Sequence, residues 1–266
     1  MGFDDCGVAR ADALTDDEYP LREWLARGWH GDLGYMERNI DKRMDPGLLV
    51  PSAKSVICCV SAYPPPDSVG GTAAYARTRE YHQDIKQMLH ALLDRLSPLS
   101  HSATQPLSHS FKLCCDTVPI SDKHWAARAG LGWIGRHTLL VTKRWGSWVN
   151  LGEIVTTAEC DTYDSDKLST ISPSKLEGMP VGRGRAAHLS PCATCHRCVE
   201  ACPNQALTHD GPPMLNVTRC TSYYNTHHPR PMPEGLDTHG YTFGCDICQL
   251  ACPFNQRPMN QYIKHQ

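Results

Sequence analysis

Residues 192–203 read CATCHRCVEACP, so four cysteines follow the spacing C-x2-C-x2-C-x3-C and the last precedes a proline. Three thiolates spaced in this way on a tight loop can reach three corners of one iron–sulfur cube, whereas the fourth, before Pro203, points to a second cube. The stretch therefore predicts a compact unit built around two 4Fe–4S clusters.

A second, shorter cysteine run completes the ligand count. Residues 245–253 read CDICQLACP, and one further cysteine stands upstream at position 220. The predicted ligands of the first cluster are Cys192, Cys195, Cys198 and Cys252, and those of the second are Cys202, Cys220, Cys245 and Cys248. Zinc also binds four thiolates from paired CxxC segments. Zinc sites rarely use CxxCxxC and do not need the final Cys-Pro, so the pattern favours iron–sulfur clusters.

Composition narrows the class of protein. The 266 residues carry a net charge of −2, which argues against nucleic-acid binding through bulk charge alone. No apolar run of eighteen residues predicts a membrane-spanning helix, and the acidic N-terminus does not have the pattern of a signal peptide. We therefore expect a cytoplasmic protein without a membrane partner. Six scattered cysteines are expected to be small buried hydrophobic residues rather than disulfides: Cys6, Cys58, Cys59, Cys114, Cys115 and Cys160.

The chain divides into three predicted regions. Residues 1–160 show apolar runs that alternate with a helical pattern at 80–96, and this predicts a mixed α+β or α/β domain. Strands are expected at 55–63, 111–115, 138–142 and 148–156, and a second helix at 124–129. Residues 161–190 read as a polar loop or linker. Residues 191–266 contain too little apolar material for a core of their own, which suits a ferredoxin-like unit held together by its clusters.

Several motifs outside the cysteine unit are distinctive when taken together. They are WHGDLGYM (29–36), KRMDP (42–46), SAKSVI (52–57), DTVP (116–119), AGLGWIG (129–135), WGSW (145–148) and GCDICQ (244–249). With the two cysteine runs, this set closely resembles the epoxyqueuosine reductases, over nearly the whole chain except the 161–190 loop. The sequence lacks the helical-repeat tail of longer members, so a short form is expected.

The resemblance implies a specific reaction and cofactor. Members of this family reduce epoxyqueuosine to queuosine in the anticodon loop of tRNA, and two 4Fe–4S clusters pass electrons to a cobalamin in the first domain. It also implies a tRNA anticodon stem-loop as substrate and an external low-potential electron donor, and we expect a monomer. The positions that match the family's cofactor contacts are Arg43, Gly135, Ser147 and Ser222.

Asp116 matches the catalytic aspartate of the family. Removing the epoxide oxygen requires a general acid, and Asp116 stands between the apolar stretches LCC and VPI. We expect it to end a strand in apolar surroundings, where burial would raise the pKa of its carboxyl and keep a proton available. The alternative role is a capping or turn aspartate. The reserve candidates for the acid are Asp122, Glu153 and His82.

The sequence departs from the family pattern at several positions. Ala74 and Thr78 replace an arginine and a glycine, and the family's Gly-Lys-Asn is Gly-Arg-His at 135–137. The residues after Cys220, including Tyr224, also differ. The family's usual helix before Gly2-Phe3-Asp4 is expected to be missing, or the start of the gene is misplaced. Candidates for tRNA contacts are the basic residues Arg183, Arg185, Arg197 and Arg219, with Tyr223 and Tyr224 stacking on bases. Surface charge and core tyrosines are the plainer alternatives.

Three other functions remain open at this point. A related cobalamin and iron–sulfur reductase could act on a small molecule, and a ferredoxin-type carrier would transfer electrons without a reaction of its own. Residues 130–135 also fit GxGxxG, but a dinucleotide site needs a strand before the motif and a helix after it. Here a helical stretch precedes and an apolar strand follows, which favours a close backbone approach to a flat macrocycle.

Overall fold

The structure is a computed structural model. It describes residues 2–15, 19–77, 80–96, 101–102, 105–106, 109–161, 192, 194–226 and 231–256. The predicted loop, apart from Asp161, and the candidates Thr78, Arg183 and Arg185 lie outside these residues. No helix in the described parts of the chain is long and apolar enough to cross a membrane.

Four antiparallel strands form the main sheet. They are β1 (Asp5–Arg10), β2 (Ser55–Ala62), β6 (Phe111–Cys114) and β9 (Val149–Thr156), and their order across the sheet is β1-β2-β9-β6. Along the central pair, Ser55 of β2 lies opposite Thr156 of β9 and Ala62 lies opposite Val149. The predicted mixture of strands and helices is therefore present, and the sheet itself is entirely antiparallel.

Helices cover both faces of this sheet. Helix α3 (Tyr81–Leu96) packs on one face and α4 (Asp122–Arg128) on the other. The apolar run of β2 is continuous because both faces of the strand are buried. Val56 and Val60 belong to the cluster around α4, whereas Ile57 belongs to the cluster around α3. Gly152 of β9 allows α3 to approach, because a Cβ there would lie 2.5 Å from Ile85 Cγ2.

Smaller elements complete the first part of the chain. They are α1 (Leu21–Ala26), α2 (Ile40–Met44), β3 (Gly71–Thr72), β4 (His101–Ser102), β5 (Gln105–Pro106), and 3-10 turns at Pro46–Leu48 and Ala74–Ala76. After α4 the chain turns through Gly130, at φ +81°, into a hairpin of β7 (Gly132–Ile134) and β8 (Leu140–Thr142). The GxGxxG motif therefore leads into a hairpin and not into a helix, which argues against a dinucleotide site.

The cysteine unit consists of short elements. They are α5 (Arg197–Ala201), α6 (Thr221–Asn225), β10 (Tyr241–Phe243), α7 (Ile247–Leu250), and 3-10 turns at Val217–Arg219 and Pro253–Asn255. Strand β10 pairs in parallel with β3, so the unit joins the first part of the chain through backbone hydrogen bonds as well as side chains.

A seam of buried hydrogen bonds attaches the cysteine unit to the sheet domain. The backbone N–H of Ser147 donates to Asn255 Oδ1 at 2.7 Å, and Asn255 Nδ2 donates to Ser147 Oγ at 2.8 Å. The Ser147 hydroxyl in turn donates to Gln249 Oε1 at 3.0 Å. Gly146 makes this approach possible, because a Cβ there would lie 2.0 Å from Asn255 Oδ1. We call these contacts of Gly146, Ser147, Gln249 and Asn255 the seam.

The helix α3 interface yields a stability prediction. Leu89 is fully buried between α3 and the sheet, so Leu89→Ala should lower the free energy of unfolding by about 2–5 kcal/mol through lost burial and a residual cavity. Urea unfolding followed by circular dichroism measures the change. Leu48→Ala is the control, since Leu48 is 52% exposed and its loss should change stability by about 0.5 kcal/mol or less. Equal effects of both variants would contradict this packing.

Candidate active site between the sheet domain and the cysteine unit

The eight predicted ligand cysteines lie in two groups of four thiols. The thiol of Cys198 has those of Cys192, Cys195 and Cys252 as its electrostatic neighbours. The thiol of Cys248 is surrounded first by those of Cys220, Cys245 and Cys202. These groups have the same members as the two ligand sets expected from the spacing, and the fourth cysteine of each run joins the other group.

The chemistry of these thiols suits a metal cluster. Burial, together with neighbouring thiolates, raises the pKa of Cys198 and of Cys245 to about 12. Thiols held so close cannot all ionise without a cation among them, and iron in a cluster supplies that charge. Two N–H groups also point at ligand sulfurs, since Trp133 Nε1 lies 3.3 Å from Cys192 Sγ and the backbone N–H of Ala206 lies 3.3 Å from Cys202 Sγ.

A cavity of about 410 Å³ lies where the two parts of the chain meet. Part of its lining is the second thiol group, and another part comes from the sheet domain. The residues of that domain which bear on the chemistry are Tyr63, Tyr75, Tyr81, Asp116, Asp122, Lys123 and His137. A molecule in this cavity would therefore contact cluster ligands and acidic side chains at the same time.

Asp116 lies at this cavity but not in apolar surroundings. Its side chain is 56% exposed, so the expectation that burial surrounds it is wrong. The chain leaves β6 at Cys114 and turns at once, and Asp116 adopts a positive φ of 59° that carries its carboxylate outward. Tyr81 Oη and His82 Nε2 both lie 2.9 Å from Asp116 Oδ2.

His82 links Asp116 to a second carboxylate. Its Nδ1 bonds Glu80, and its ring stacks on that of Tyr81 at 4.0 Å between centroids. Partial burial opposes the charged form, but the hydrogen bonds to Asp116 and Glu80 prevail and raise the pKa of His82. A protonated His82 can therefore donate to Asp116 and return a proton to it after a transfer.

Glu153, which is fully buried, and Asp122, which is half-buried, form a second pair of acids near Asp116. Glu153 is fully buried in β9, and Asp122 begins α4. Burial raises the pKa of Asp122 to about 7, and the charge of Asp116 adds to the effect. Burial and the neighbouring Asp122 also raise the pKa of Glu153 well above its ordinary value. Two of the reserve acids thus have the environment that was expected for Asp116.

His137 is a site residue that the sequence pattern did not reveal. Its Nδ1 accepts a hydrogen bond from the Leu139 N–H at 3.2 Å, which places the ring proton on Nε2. Burial lowers the pKa of this histidine to about 4, so the ring is neutral. Nε2 is buried and has no hydrogen-bond partner in the described structure. A buried N–H without a partner at a cavity wall is suited to a polar group of a ligand.

The four expected cofactor contacts differ in their placement. Ser147 and Ser222 line the cavity, but the Ser147 hydroxyl is already bound to Gln249 and Asn255 in the seam. Arg43 and Gly135 are not part of the described lining. The Arg43 guanidinium donates to the Tyr35 carbonyl at 3.2 Å, and Gly135 packs against His137 and Val141.

The candidate tRNA contacts also differ in their placement. Tyr224 is only 8% exposed and donates to the Thr218 carbonyl, so it is a core residue and cannot stack on a base in this structure. Tyr223 donates to Asp32 Oδ1 at 2.6 Å. Arg197 and Arg219 are exposed, and Arg219 also donates to the Asn204 carbonyl.

Comparison with known proteins gives a consistent result. Residues 191–255 match the family model of the 4Fe-4S double cluster binding domain, and residues 43–117 match that of "Epoxyqueuosine reductase QueG, DUF1730". The epoxyqueuosine reductase of Cellulophaga algicola is 33% identical over 96% of this chain and 76% of its own length. That of Gloeobacter violaceus is 34% identical over 97% and 73%.

Solved structures agree with these matches. The epoxyqueuosine reductase of Streptococcus thermophilus superposes with a TM-score of 0.74 at 26% identity, over 97% of this chain and 64% of that protein. An epoxyqueuosine reductase bound to a tRNA-Tyr epoxyqueuosine-modified stem loop has a TM-score of 0.72 at 26% identity, over 98% and 65%. The chain therefore spans just under two thirds of these structures. The expected mixed fold with a ferredoxin-like cluster unit is confirmed.

The contacts of His82 yield a prediction about its ionisation. Asp116→Asn removes the negative charge that stabilises protonated His82, so the pKa of His82 should fall. Because this pKa is raised in the folded state, the stability that it contributes is present at low pH and disappears as pH rises through it. A pH titration of the histidine ring resonances by NMR measures the shift. Asp210→Asn, beside His209, is the control, and an unchanged titration of His82 in Asp116→Asn would refute the assignment.

The indole of Trp133 yields a prediction about one cluster. Hydrogen bonds to cluster sulfurs stabilise the more negative reduced state. Trp133→Phe keeps the ring packing on Phe254 but removes the N–H, so one of two cluster potentials should become more negative while the other stays. A redox titration followed by electron paramagnetic resonance measures both. Trp24→Phe, which removes an N–H bonded to the Leu215 carbonyl, should change neither. Equal shifts of both potentials in Trp133→Phe would contradict the contact.

Proposed function

This chain belongs to the epoxyqueuosine reductase family of oxidoreductases, and we propose that it reduces epoxyqueuosine to queuosine in the anticodon loop of a tRNA. The observation that carries the proposal is the shared cavity, where the second thiol group and the carboxylate of Asp116 line one space. Electrons and protons can reach a substrate there from different parts of the lining. A solved relative has been captured with an epoxyqueuosine-modified tRNA stem loop.

The reaction sets the demands on the site. Converting an epoxide to an alkene and water takes two electrons and two protons. The eight cysteines would hold two 4Fe–4S clusters as the electron path, with the second cluster at the cavity wall. An external low-potential donor would supply the electrons.

Cobalamin is the proposed cofactor of the cavity, where its reduced cobalt would supply the electrons to the substrate. The residues present fit such a group. His137 offers a buried N–H without a partner, which suits an amide oxygen on the corrin rim. Ser222 contributes a second polar contact, and the rings of Tyr63 and Tyr75 supply apolar surface for a flat macrocycle.

Asp116 would act as the general acid. Its position at the cavity and its exposure allow a substrate oxygen to reach it. Tyr81 and His82 hold the carboxyl in place by hydrogen bonds to Oδ2. His82 can restore the proton after each transfer, since its raised pKa keeps it charged to higher pH than an ordinary histidine.

The test uses the anaerobically purified full chain with its clusters, cobalamin and an epoxyqueuosine-containing tRNA stem-loop. The wild-type protein should show a cob(II)alamin resonance beside iron–sulfur signals and should form queuosine. Asp116→Asn should keep these spectra but slow turnover by about 10²–10⁴-fold, the usual contribution of a general acid. Asp41→Asn, which removes a carboxylate paired with Arg22 on the surface, is the control.

Different failures exclude different functions. Zinc in place of iron would remove the electron path. Iron–sulfur signals without any response to cobalamin would support a ferredoxin-type carrier. Turnover of a halogenated small molecule without turnover of the tRNA stem-loop would support the related reductase instead.

A further inference from the structure

The reduction consumes two protons, and Asp116 with His82 behind it would deliver only one of them. We propose that Asp122 and Glu153 form a carboxyl pair that supplies the second proton to the cavity through Asp122. The inference rests on the proposed function, and its experiment includes a measurement that needs neither substrate nor cobalamin.

The position of Glu153 is the first observation. It lies at the centre of the sheet in β9, opposite Cys58 of β2 and Cys114 of β6. Its side chain is fully buried, and neither carboxyl oxygen has a hydrogen-bond partner from the donors of the described structure. An ionised carboxylate in such a place would lack any compensation for its lost hydration.

The second observation is the relation between the two acids. Asp122 is the acid next to Glu153, and its charge and hydrogen bonding both raise the pKa of the Glu153 carboxyl. Two carboxyls can bond each other only when at least one of them is protonated, so this contact requires a shared proton. Asp122 also lines the cavity, and its Oδ1 is buried and has no other partner among the described residues. The pair therefore extends from the interior of the sheet to the reaction space.

The charges around the pair favour keeping that proton. Asp116 repels both carboxylates, whereas Lys123 and Arg43 partly offset this at Asp122. The other titratable groups that face the pair stay neutral near pH 7. Burial raises the pKa of four of them: Tyr19, Cys58, Cys114 and Cys115. A hydrogen bond with Cys6, together with burial, raises that of Cys59. Nothing among these groups supplies a full positive charge to Glu153.

The ionisation of the pair then follows in two steps. Burial raises the pKa of Asp122 to about 7, so Asp122 titrates near neutrality. Burial and the neighbouring acid also raise the pKa of Glu153 well above its ordinary value, which favours its protonated form. Asp122 can therefore lose a proton to the cavity, and Glu153 can pass its own proton across the shared hydrogen bond. A donor that titrates near the working pH is suited to general acid catalysis.

With this second donor, the site supplies both protons that the reaction consumes. Both C–O bonds of the epoxide break and a C=C bond forms, with two electrons entering through the cluster path. The oxygen takes one proton that His82 delivers through Asp116 and one from Asp122, and leaves as water. Glu153 then reprotonates Asp122.

The experiment compares Glu153→Gln and Asp122→Asn with Glu159→Gln. Gln and Asn keep the volume and hydrogen-bonding groups of neutral acids, so the fold should survive. Glu159 is an exposed carboxylate bound to Lys54 and serves as the matched control. Intact cluster absorbance in each variant verifies that the site is assembled.

The first measurement is the infrared spectrum of the full chain with its clusters, without cobalamin or substrate. At about pH 8, where ordinary carboxyls are ionised, the wild type should show the C=O band of a protonated carboxylic acid. Glu153→Gln should lose this band and Glu159→Gln should keep it. A band that survives in Glu153→Gln, or a wild type without one, would overturn the proton-holding pair.

The second measurement is single-turnover reduction of the tRNA stem-loop as a function of pH. Asp122→Asn should slow the chemical step by about 10²-fold or more with little change in KM. Glu153→Gln should restrict the pH range of activity to lower pH values. Wild-type rates and pH profile in both variants would overturn the proton-supplying role. A wild-type protein that does not act on the stem-loop would instead overturn the proposed function, and the infrared comparison would still decide whether the pair holds its proton.

Discussion

The cavity shared by cluster ligands and acids depends on the seam. Ser147 sits between Gln249 and Asn255, and all three polar side chains are buried. Removing any one would leave buried donors or acceptors without partners, at a cost of about 1–3 kcal/mol for each group. Because the cysteine unit has little apolar core, this seam and the β3–β10 pairing hold its second thiol group against the cavity.

The same arrangement places the source of electrons and the sources of protons on different parts of the cavity lining. The cluster wall offers sulfur ligands, and the sheet wall offers carboxyls in two different environments. Asp116 is exposed and held by Tyr81 and His82, whereas Glu153 is deep in the sheet and faces Asp122. Burial raises the pKa of both Glu153 and Asp122. One cavity can therefore combine an acid that meets the substrate with a second that stores a proton behind it.

Sequence reasoning succeeded where the signal was local. The spacing of the cysteines, the apolar run of β2 and the helical pattern of α3 depend on neighbours a few residues apart, and each has its expected form in the structure. Sequence reasoning did not predict the surroundings of individual side chains. Apolar neighbours in sequence suggested that Asp116 is buried, but the positive φ at this residue turns its side chain outward. The prediction that Tyr224 stacks on a base was wrong for a similar reason, since a ring in the core has no free face for a base.

The sequence by itself determined the chemistry that this chain can hold: eight cysteines at cluster spacing, an aspartate after an apolar strand, and the motifs of its family. Only the tertiary structure decided which acids are buried and which groups share a cavity. Burial and proximity arise from strands and turns far apart in the chain, as when Glu153 of β9 meets Asp122 of α4, or Ser147 meets Asn255. The pKa of a carboxyl follows from those distant contacts, because desolvation and neighbouring charge act through space and not along the chain.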